Sequence, residues 1–201
     1  FFMGGKDSWM LGHLIEFMAH GVIKQKYGTL GSRKAFLEND QTKLDFGQAG
    51  GSIETLAAAI LQLKEEGLIN KDFLTATYDN QLEAFASGKA AIISQGMWAL
   101  SGILAKNPDM QEIGFSPYPA LLPGTKAVIL TAEDSGYSIM SQSEHIEEAK
   151  QFLDYLFSVE TQISYGEFLK SPSAFTDVQA DWGVLKDEVF GAISRGVNIG
   201  F

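Results

Sequence analysis

The sequence predicts an α/β fold, in which short strands alternate with longer amphipathic helices. Short apolar runs recur along the chain, and the stretches between them place apolar residues three or four positions apart, as one face of a helix does. Apolar residues make up 45% of the 201 residues and charged residues 20%, which is sufficient for a packed core. We therefore expect a central sheet flanked by helices.

Composition excludes several classes of function. The chain has no Cys, which excludes disulfides, zinc–thiolate centres and a Cys nucleophile. Acidic residues number 25 and basic residues 15, giving a formal charge of −10, so nucleic acid is not an expected partner. No apolar run approaches the roughly 20 residues that a membrane-spanning helix needs.

The first predicted helix covers residues 8–27, where an apolar stripe indicates one buried face. Residues 28–51 are polar and rich in Gly. This composition predicts a surface excursion, which contains a short extended piece at 43–46.

Two further helices have clear start and stop residues. Ser52 is a candidate N-cap for a helix over 52–66, and Gly67 suits the C′ position that follows it. Asp79 is a candidate cap for a shorter helix that ends at Gly88. We therefore expect each of these helices to begin at a capping side chain and to end at a Gly.

Four extended segments supply the predicted sheet. Residues 89–94 form a short buried strand, and Gly96 turns the chain directly into the next helix. Residues 113–119 form a strand that ends at a Pro, and 127–131 and 137–140 are two more extended runs. These segments are separated by turns rich in Gly and Pro.

Helices make up most of the second half of the chain. One runs through Trp98 and stops at Asn107, because the residue before a Pro resists the helical conformation. The same apolar spacing predicts three more helices. The first has Glu144 in its first turn and apolar residues that face inward from Ile146 to Leu156, and the others cover about 159–169 and 181–195.

No arrangement of residues predicts catalysis, a metal site or a cofactor. His13 and His20 could share a helix face, but they lack a carboxylate in register and a metal-binding spacing. Glu133 and Asp134 are adjacent carboxylates, and neighbours in an extended chain point to opposite faces, whereas a glycosidase pair flanks one bond. We interpret Glu133 and Asp134 as a solvated or ligand-contacting turn.

The more informative residues lie where extended segments meet helices. Trp98 follows the strand at 89–94, and ligands of open α/β sheets bind beyond the carboxyl ends of strands. Trp98 could stack on a ligand, or it could pack between helix and sheet. Trp9 lies at a similar junction, where Asp7 and Ser8 could cap the helix or hydrogen-bond a hydroxylated ligand.

Five segments, in order, resemble parts of the extracellular solute-binding proteins of ABC importers, in the maltose-binding-like class. They are the strand-to-helix junction Gly4-Gly5-Lys6-Asp7-Ser8-Trp9, the F-x-x-G-x-A-A stretch within 80–91, the turn Gly96-Met97-Trp98, the Pro-containing strand 113–119, and the hinge strand and helix pair within 136–162. Each segment is short, and their common order along nearly the whole chain identifies the family.

The resemblance implies an incomplete lobe of the periplasmic-binding-protein type II-like fold. Such proteins trap a solute between two lobes and deliver it to the membrane permease of an ABC transporter, without catalysis. In the family's carbohydrate binders, an aromatic residue at the position of Trp98 stacks on a pyranose, and residues at Asp7 and Trp9 line the same cleft. Asp134 and Ser135 match a hinge-side turn that contacts ligand. We therefore expect a di- or oligosaccharide at these five residues.

The same resemblance predicts how the chain divides between lobes. Residues 1–130 and 176–201 are assigned to the second, carboxyl-terminal lobe, and residues 131–175 to the hinge strand and helix pair of the first lobe. The chain starts at Phe1 without an initiator Met, so we expect part of the first lobe to precede it. We also expect a helical stretch to follow Phe201. The missing remainder of the same protein is thus an expected partner.

The predicted division also has a consequence for the helix pair. Its apolar face of Phe152, Leu156, Phe157 and Ile163 should lack its native partner within this chain. We expect that face to be exposed, covered by another copy of the chain, or covered by a separate chain that carries the missing half. Burial of that face against residues 1–130 would contradict the division.

The resemblance further implies an extracytoplasmic location, either periplasmic or lipid-anchored at the outer face of the cell membrane. Two other functions stay open at this point. The same fold could bind another small solute or act as a sensor that presents its ligand to a receptor. A carbohydrate-active enzyme would use Glu133 or Asp134, and it is the least supported of the three.

Overall fold

A computed structural model describes residues 1–131, 136–195 and 197–199, and most of their regular structure is helical. The helices are α1 (Ser8–Leu14), a π-helix (Ile15–His20), α2 (Gly21–Leu37), α3 (Ser52–Glu65), α4 (Tyr78–Ala86), α5 (Ala99–Lys106), α6 (Ile146–Leu156), α7 (Val159–Leu169) and α8 (Lys186–Arg195). The strands are β1 (Val128–Leu130) and β2 (Val197–Ile199). In these described ranges, no helix is both long and apolar enough to cross a membrane.

The first helical region is longer than the sequence indicates. The helix predicted over 8–27 is confirmed, but the chain continues through the π-helix and α2 to Leu37, so the surface excursion does not begin at residue 28. Gly28 redirects the chain with a φ of 73° and a ψ of 174°, a conformation that Gly adopts without strain. Beyond it, Ala35 is fully buried against Ile23. This packing favours helix in a segment whose Gly content disfavours it.

The segment after α2 forms turns, so the extended piece predicted at 43–46 is wrong. The backbone N–H groups of Lys43 and Leu44 both donate to the carbonyl oxygen of Asp40. The Asp40 side chain accepts from the Thr42 N–H at 3.0 Å, as in an Asx-turn. Hydrogen bonds from Lys43 and Thr42 lower the pKa of this carboxyl to about 2. The turn places Leu44 in a small buried cluster.

The carboxyl-terminal ends of α3 and α4 lie where the sequence predicts them. Gly67 and Gly88 follow these helices with φ angles of 70° and 74°, as expected for C′ glycines. At the start of α3, Gly51 is the N-cap and Ser52 is the first helical residue. The Ser52 hydroxyl donates to the carboxylate of Asp45, so it is used in the core and does not cap the helix.

Thr77, rather than Asp79, caps α4. Thr77 and Asn80 form a capping box, in which the Thr77 hydroxyl accepts the Asn80 N–H at 3.2 Å and the Asn80 side chain accepts the Thr77 N–H at 3.0 Å. Asp79 lies in the first turn, where the helix dipole favours an acid. Its carboxylate pairs with Lys106 of α5 at 2.8 Å, which links the two helices.

The predicted central sheet is not confirmed among the described residues. β1 and β2 form a two-stranded parallel sheet, with Val128 opposite Val197. The extended segment predicted at 127–131 therefore does form a strand, although a short one.

The other predicted strands do not form ladders within the described ranges. The segments at 89–94 and 113–119 each contribute one isolated bridge, and 137–140 is irregular. A strand requires hydrogen bonds along its length from a neighbouring strand, and these segments meet a neighbour at a single residue. The bridges join Ile93 to Phe2 and Tyr118 to Val128.

Two hydrophobic cores hold the helices that carry the predicted site. The larger core joins α4, α5 and α8 and includes Leu82, Leu100, Ile103, Trp182 and Val189. The smaller core contains Met3, Leu14 and Ile69, with side chains of α3 packed against it. Because α1 belongs to the smaller core and α5 to the larger, each helix has its own support.

The last helix begins at Lys186, five residues after the start predicted at Asp181. The residues between them form a turn, in which Gly183 has a φ of 98° and donates its N–H to the Asp181 carboxylate at 3.2 Å. Trp182, within this turn, is buried in the larger core.

The helix pair α6 and α7 exposes part of its predicted apolar face. Phe152 is 59% exposed and Phe157 is 40% exposed. Leu156 is half-buried, and Ile163 packs against the larger core beside α5. The face is thus shared between solvent and α5, and the assignment of 131–175 to another lobe stays a prediction.

Candidate functional site

The two tryptophans singled out by the sequence lie on either side of one histidine. The ring centroids of Trp9 and His13 are 5.2 Å apart, and those of His13 and Trp98 are 5.6 Å apart. Both contacts are edge-on, with interplanar angles of 66° and 64°, a favoured geometry for aromatic rings. Trp9 is 40% and Trp98 is 38% exposed. We call these three residues the aromatic platform.

A row of rings anchors the platform to the interior. Trp9, His13 and Phe17 are spaced four residues apart, so the helical region places them on one face. The His13 and Phe17 centroids are 5.0 Å apart, and buried Phe17 reaches Tyr118 at 5.0 Å. His13 is not among the ligand-binding residues that the sequence predicts. Its spacing from Trp9 is the signal that could have identified it.

Gly96 sets the position of the Trp98 ring. Trp98 immediately precedes α5, and its indole folds back over Gly96, where a Cβ atom would overlap the six-membered ring. Glycine is therefore the residue that allows the turn at Gly96-Met97-Trp98 to hold the indole in this position.

Two glutamine side chains fix the other edge of the indole. The Trp98 Nε1–H donates to Gln95 Oε1 at 2.9 Å, and Gln95 Nε2 donates to Gln81 Oε1 at 2.5 Å. Gln81 is 2% exposed and donates in turn to the carbonyl oxygen of Phe2 at 2.8 Å. We call Gln81 and Gln95 the amide pair. Because the indole N–H is bonded to protein, the exposed ring surface is what Trp98 offers a ligand.

Asp7 lies beside the platform and already has a structural bond. It occupies the N-cap position of α1, yet its Oδ2 atom accepts the backbone N–H of Tyr78, the first residue of α4, at 3.0 Å. The Tyr78 ring lies 5.4 Å from that of Trp9. The structure thus brings Asp7 next to the platform, and one of its carboxylate oxygens stabilises α4.

Glycines upstream of Asp7 allow this approach. A Cβ on Gly5 would lie 2.6 Å from the carbonyl oxygen of Phe73. The backbone N–H of Lys6 donates to the carbonyl oxygen of Ala76 at 3.2 Å. The first residues of the chain therefore run close to the backbone before α4, which carries the Asp7 carboxylate to Tyr78.

Two tyrosines near the platform have a raised pKa because they are partly buried. Burial raises the pKa of Tyr118, although a hydrogen bond between its hydroxyl and Ser94 acts in the opposite direction. Burial also raises the pKa of Tyr78. A phenol is protonated at neutral pH in any case, and the raised pKa extends that protonation to more alkaline solution. The rings around the platform form an uncharged aromatic surface, bordered by the carboxylate of Asp7.

The remaining predicted site residues, Asp134 and Ser135, lie outside the described residues, as does Glu133. Their contribution to the site stays a prediction. Among the side chains that the structure does describe, no three His, Cys, Asp or Glu residues come together as a metal site.

A separate concavity of about 380 Å³ lies between α1, the π-helix and α2. Its lining is mainly apolar and includes Ile15, Phe36, Leu37 and Phe46. A hydroxylated ligand needs several hydrogen-bonding groups as well as an apolar surface. Polar side chains also line this concavity, among them Glu16, Ser32 and Arg33, so the aromatic platform is distinguished from it by the two exposed indoles.

Comparison with known proteins gives a consistent family match. The family described as bacterial extracellular solute-binding protein matches residues 1–163. The multiple sugar-binding protein of Streptococcus mutans is 31% identical over 119 residues, which are 59% of this chain and 28% of that protein. The melibiose/raffinose/stachyose-binding protein MelE of Bacillus subtilis is 29% identical over 126 residues, 63% of this chain and 29% of that protein.

Solved structures share the fold. A solute-binding protein, RafE, in complex with raffinose superposes with a TM-score of 0.76 at 20% identity, over 99% of this chain and 50% of that one. A sugar transporter from Bacillus licheniformis in complex with stachyose gives a TM-score of 0.65 at 22% identity, over 98% and 56%. The chain therefore corresponds to about half the length of these structures.

The family match covers both elements that build the platform. Residues 1–163 include α1 with Trp9 and His13, and the turn with Trp98 that leads into α5. The match extends over most of the 201 residues. This chain belongs to the bacterial extracellular solute-binding proteins.

Proposed function

We propose that this chain forms part of a non-catalytic protein that binds an oligosaccharide on the aromatic platform. The observation that carries the proposal is the pair of exposed indoles, Trp9 and Trp98, held on either side of His13. Family members are solute-binding proteins, and the bound sugar would pass to the permease of an ABC transporter at the outer side of the membrane.

The physical chemistry of a sugar fits this surface. One side of a pyranose ring is a patch of C–H groups that can stack on an aromatic ring, and its rim carries hydroxyl groups that both donate and accept hydrogen bonds. The platform supplies aromatic surface, and Asp7, Gln95 and His13 supply polar atoms next to it.

The relatives narrow the class of sugar. MelE is described as binding melibiose, raffinose and stachyose, and the Streptococcus relative as binding multiple sugars. These names support an oligosaccharide as the ligand of this chain, and they make raffinose and stachyose the first probes to use.

We also infer that the chain supplies most of one lobe and a strip of the other. Residues 1–130 and 176–201 would form the carboxyl-terminal lobe, and 131–175 would belong to the hinge and the first lobe. The exposed Phe152 and the roughly twofold length of the structural relatives support this division. Asp134 and Ser135 would then lie at the hinge side of the cleft.

Calorimetric titration tests the proposed function. Raffinose and stachyose are titrated into the protein at its native length and into the Trp98→Ala variant. We expect saturable binding to the unchanged protein, and at least a tenfold loss in the variant, equivalent to about 1.4 kcal/mol. Tyr27→Ala is the matched control, because Tyr27 is an equally exposed aromatic residue on α2; its binding should be unchanged.

Three outcomes would contradict the proposal. They are the absence of binding to a panel of oligosaccharides, equal binding by the Trp98→Ala variant, and hydrolysis of the bound sugar during prolonged incubation. The last would instead indicate a carbohydrate-active enzyme.

A further inference from the structure

We propose that His13 determines which sugar the platform accepts, by hydrogen-bonding the hydroxyl groups of the unit that stacks on Trp98. This inference rests on the proposed function and assigns a role to a residue that neither the sequence nor the family match singles out.

The polar atoms predicted to meet the ligand are partly committed to the protein. The Trp98 N–H donates to Gln95, and the Gln95 amide is itself bonded to buried Gln81. The Asp7 Oδ2 atom accepts the N–H of Tyr78. These bonds position the ring and α4, so they reduce what these side chains can offer a sugar hydroxyl.

His13 differs because aromatic rings alone hold its imidazole. Its centroid lies 5.2 Å from Trp9, 5.6 Å from Trp98 and 5.0 Å from Phe17. Among the residues that the structure describes, neither ring nitrogen of His13 has a hydrogen-bond partner, and no fully buried side-chain nitrogen or oxygen lacks one. Both nitrogens of the half-buried His13 ring therefore keep some contact with solvent, beside the two exposed indoles.

An imidazole in this position can distinguish sugars by hydrogen bonds to their hydroxyl groups. The neutral ring carries one N–H donor and one nitrogen acceptor, and a sugar hydroxyl can serve either of them. A ligand that covers the platform removes water from His13. Any sugar that fails to replace those hydrogen bonds leaves a polar group unpaired, which is heavily penalised. Stacking on Trp98 tolerates many pyranoses, whereas this pairing requires a hydroxyl at one place on the ring.

The test compares variants that separate the ring from its nitrogens. His13→Phe keeps an aromatic ring and removes both nitrogens, and His13→Gln keeps a donor and an acceptor without the ring. Titrations use raffinose, stachyose, melibiose and maltose with the protein at its native length. His145→Phe is the matched control, since His145 is an exposed histidine before α6.

We expect His13→Phe to lose at least tenfold in affinity for the best-bound sugar. We also expect the ratio of affinities between that sugar and the weakest binder to fall by a similar factor. His13→Gln should recover part of this ratio, and His145→Phe should leave it unchanged. A loss of stability alone would weaken all sugars equally, so the ratio reports hydrogen bonding. Should His13→Phe not fold, His13→Ala takes its place with the same expected loss.

The outcomes separate this inference from the proposed function. If Trp98→Ala abolishes binding while His13→Phe keeps both affinity and ratio, the role of His13 is wrong and the sugar-binding function stands. An equal loss for every sugar in His13→Phe also overturns the role. If the unchanged protein binds none of the sugars, both proposals fail together.

Discussion

The orientation of a single side chain, Trp98, depends on its contacts with a glycine and with the amide pair. Gly96 leaves the space into which the indole folds, and Gln95 accepts the indole N–H while donating its own amide N–H to Gln81. Gln81 connects this arrangement to the carbonyl oxygen of Phe2, 79 residues away in the chain. The ring is thus preorganised, which reduces the conformational entropy that binding would otherwise lose.

Substitution of Gly96 tests this preorganisation. In Gly96→Ala the new Cβ would overlap the indole, so the ring must move away from its hydrogen bond to Gln95. We expect the variant to shift tryptophan fluorescence and to weaken raffinose binding by about tenfold or more, or roughly 1.4 kcal/mol. Gly12→Ala on α1 is the control, because a Cβ there meets no atom within 4 Å. Unchanged fluorescence and affinity in Gly96→Ala would show that the indole is not held this way.

At the scale of elements, the side chain of Asp7 joins the starts of α1 and α4. Asp7 precedes α1 in the chain, yet it accepts the first N–H of α4, next to the Thr77 and Asn80 capping box. The first N–H groups of a helix lack partners within the helix, and a negative charge there is favoured by the helix dipole. The arrangement sets the distance between Trp9 and Tyr78 as well as stabilising the start of α4.

Variants of Asp7 distinguish this structural role from ligand binding. Asp7→Ala should lower the free energy of unfolding by about 1 kcal/mol, because it removes an acceptor at a helix start. Asp7→Asn retains an oxygen acceptor and should lose less than half of that. Urea unfolding measures both variants, with Asp154→Ala on the exposed side of α6 as the control. Equal stability of Asp7→Ala and the unchanged protein would mean that the bond to Tyr78 contributes nothing.

At the scale of the whole molecule, the helix pair α6 and α7 leaves large apolar side chains in solvent. Phe152, Tyr155 and Phe168 are all exposed, while Ile163 packs against the core shared with α5. Large apolar side chains exposed together on one helix pair are typical of an interface. The proposed division of the chain gives it an occupant, the remainder of the first lobe.

The variant Phe152→Lys, in the protein at its native length, tests whether the remainder of the first lobe covers this face. If the ring is buried against the other lobe, its replacement by a charge should lower the free energy of unfolding by about 2 kcal/mol, the order of burying one such side chain. Tyr27→Lys, at an exposed aromatic residue outside the pair, should change it by less than about 0.5 kcal/mol. Equal effects of the two substitutions would place Phe152 in solvent and contradict the division.

The local pattern of the sequence was sufficient for most helices and for the two tryptophans of the platform. Helical periodicity, the C′ glycines Gly67 and Gly88 and the stop at Asn107 all depend on neighbours within a few residues. The segments that resemble the solute-binding family are likewise contiguous, and they pointed to Trp9 and Trp98 in advance. The contact between Phe17 and Tyr118, by contrast, comes only from tertiary packing.

Only the tertiary structure decided how the predicted pieces meet. The predicted strands at 89–94 and 113–119 have apolar sequences, yet each meets a neighbouring segment at a single bridge, because a sheet depends on partners distant in the chain. The carboxylate of Asp7 bonds to a residue 71 positions away, and His13 gains Trp98 from another helix. The sequence by itself determined most of the helices and both tryptophans of the platform. Folding determined that His13 also meets Trp98, because that contact joins residues distant in the chain and leaves no mark in local spacing.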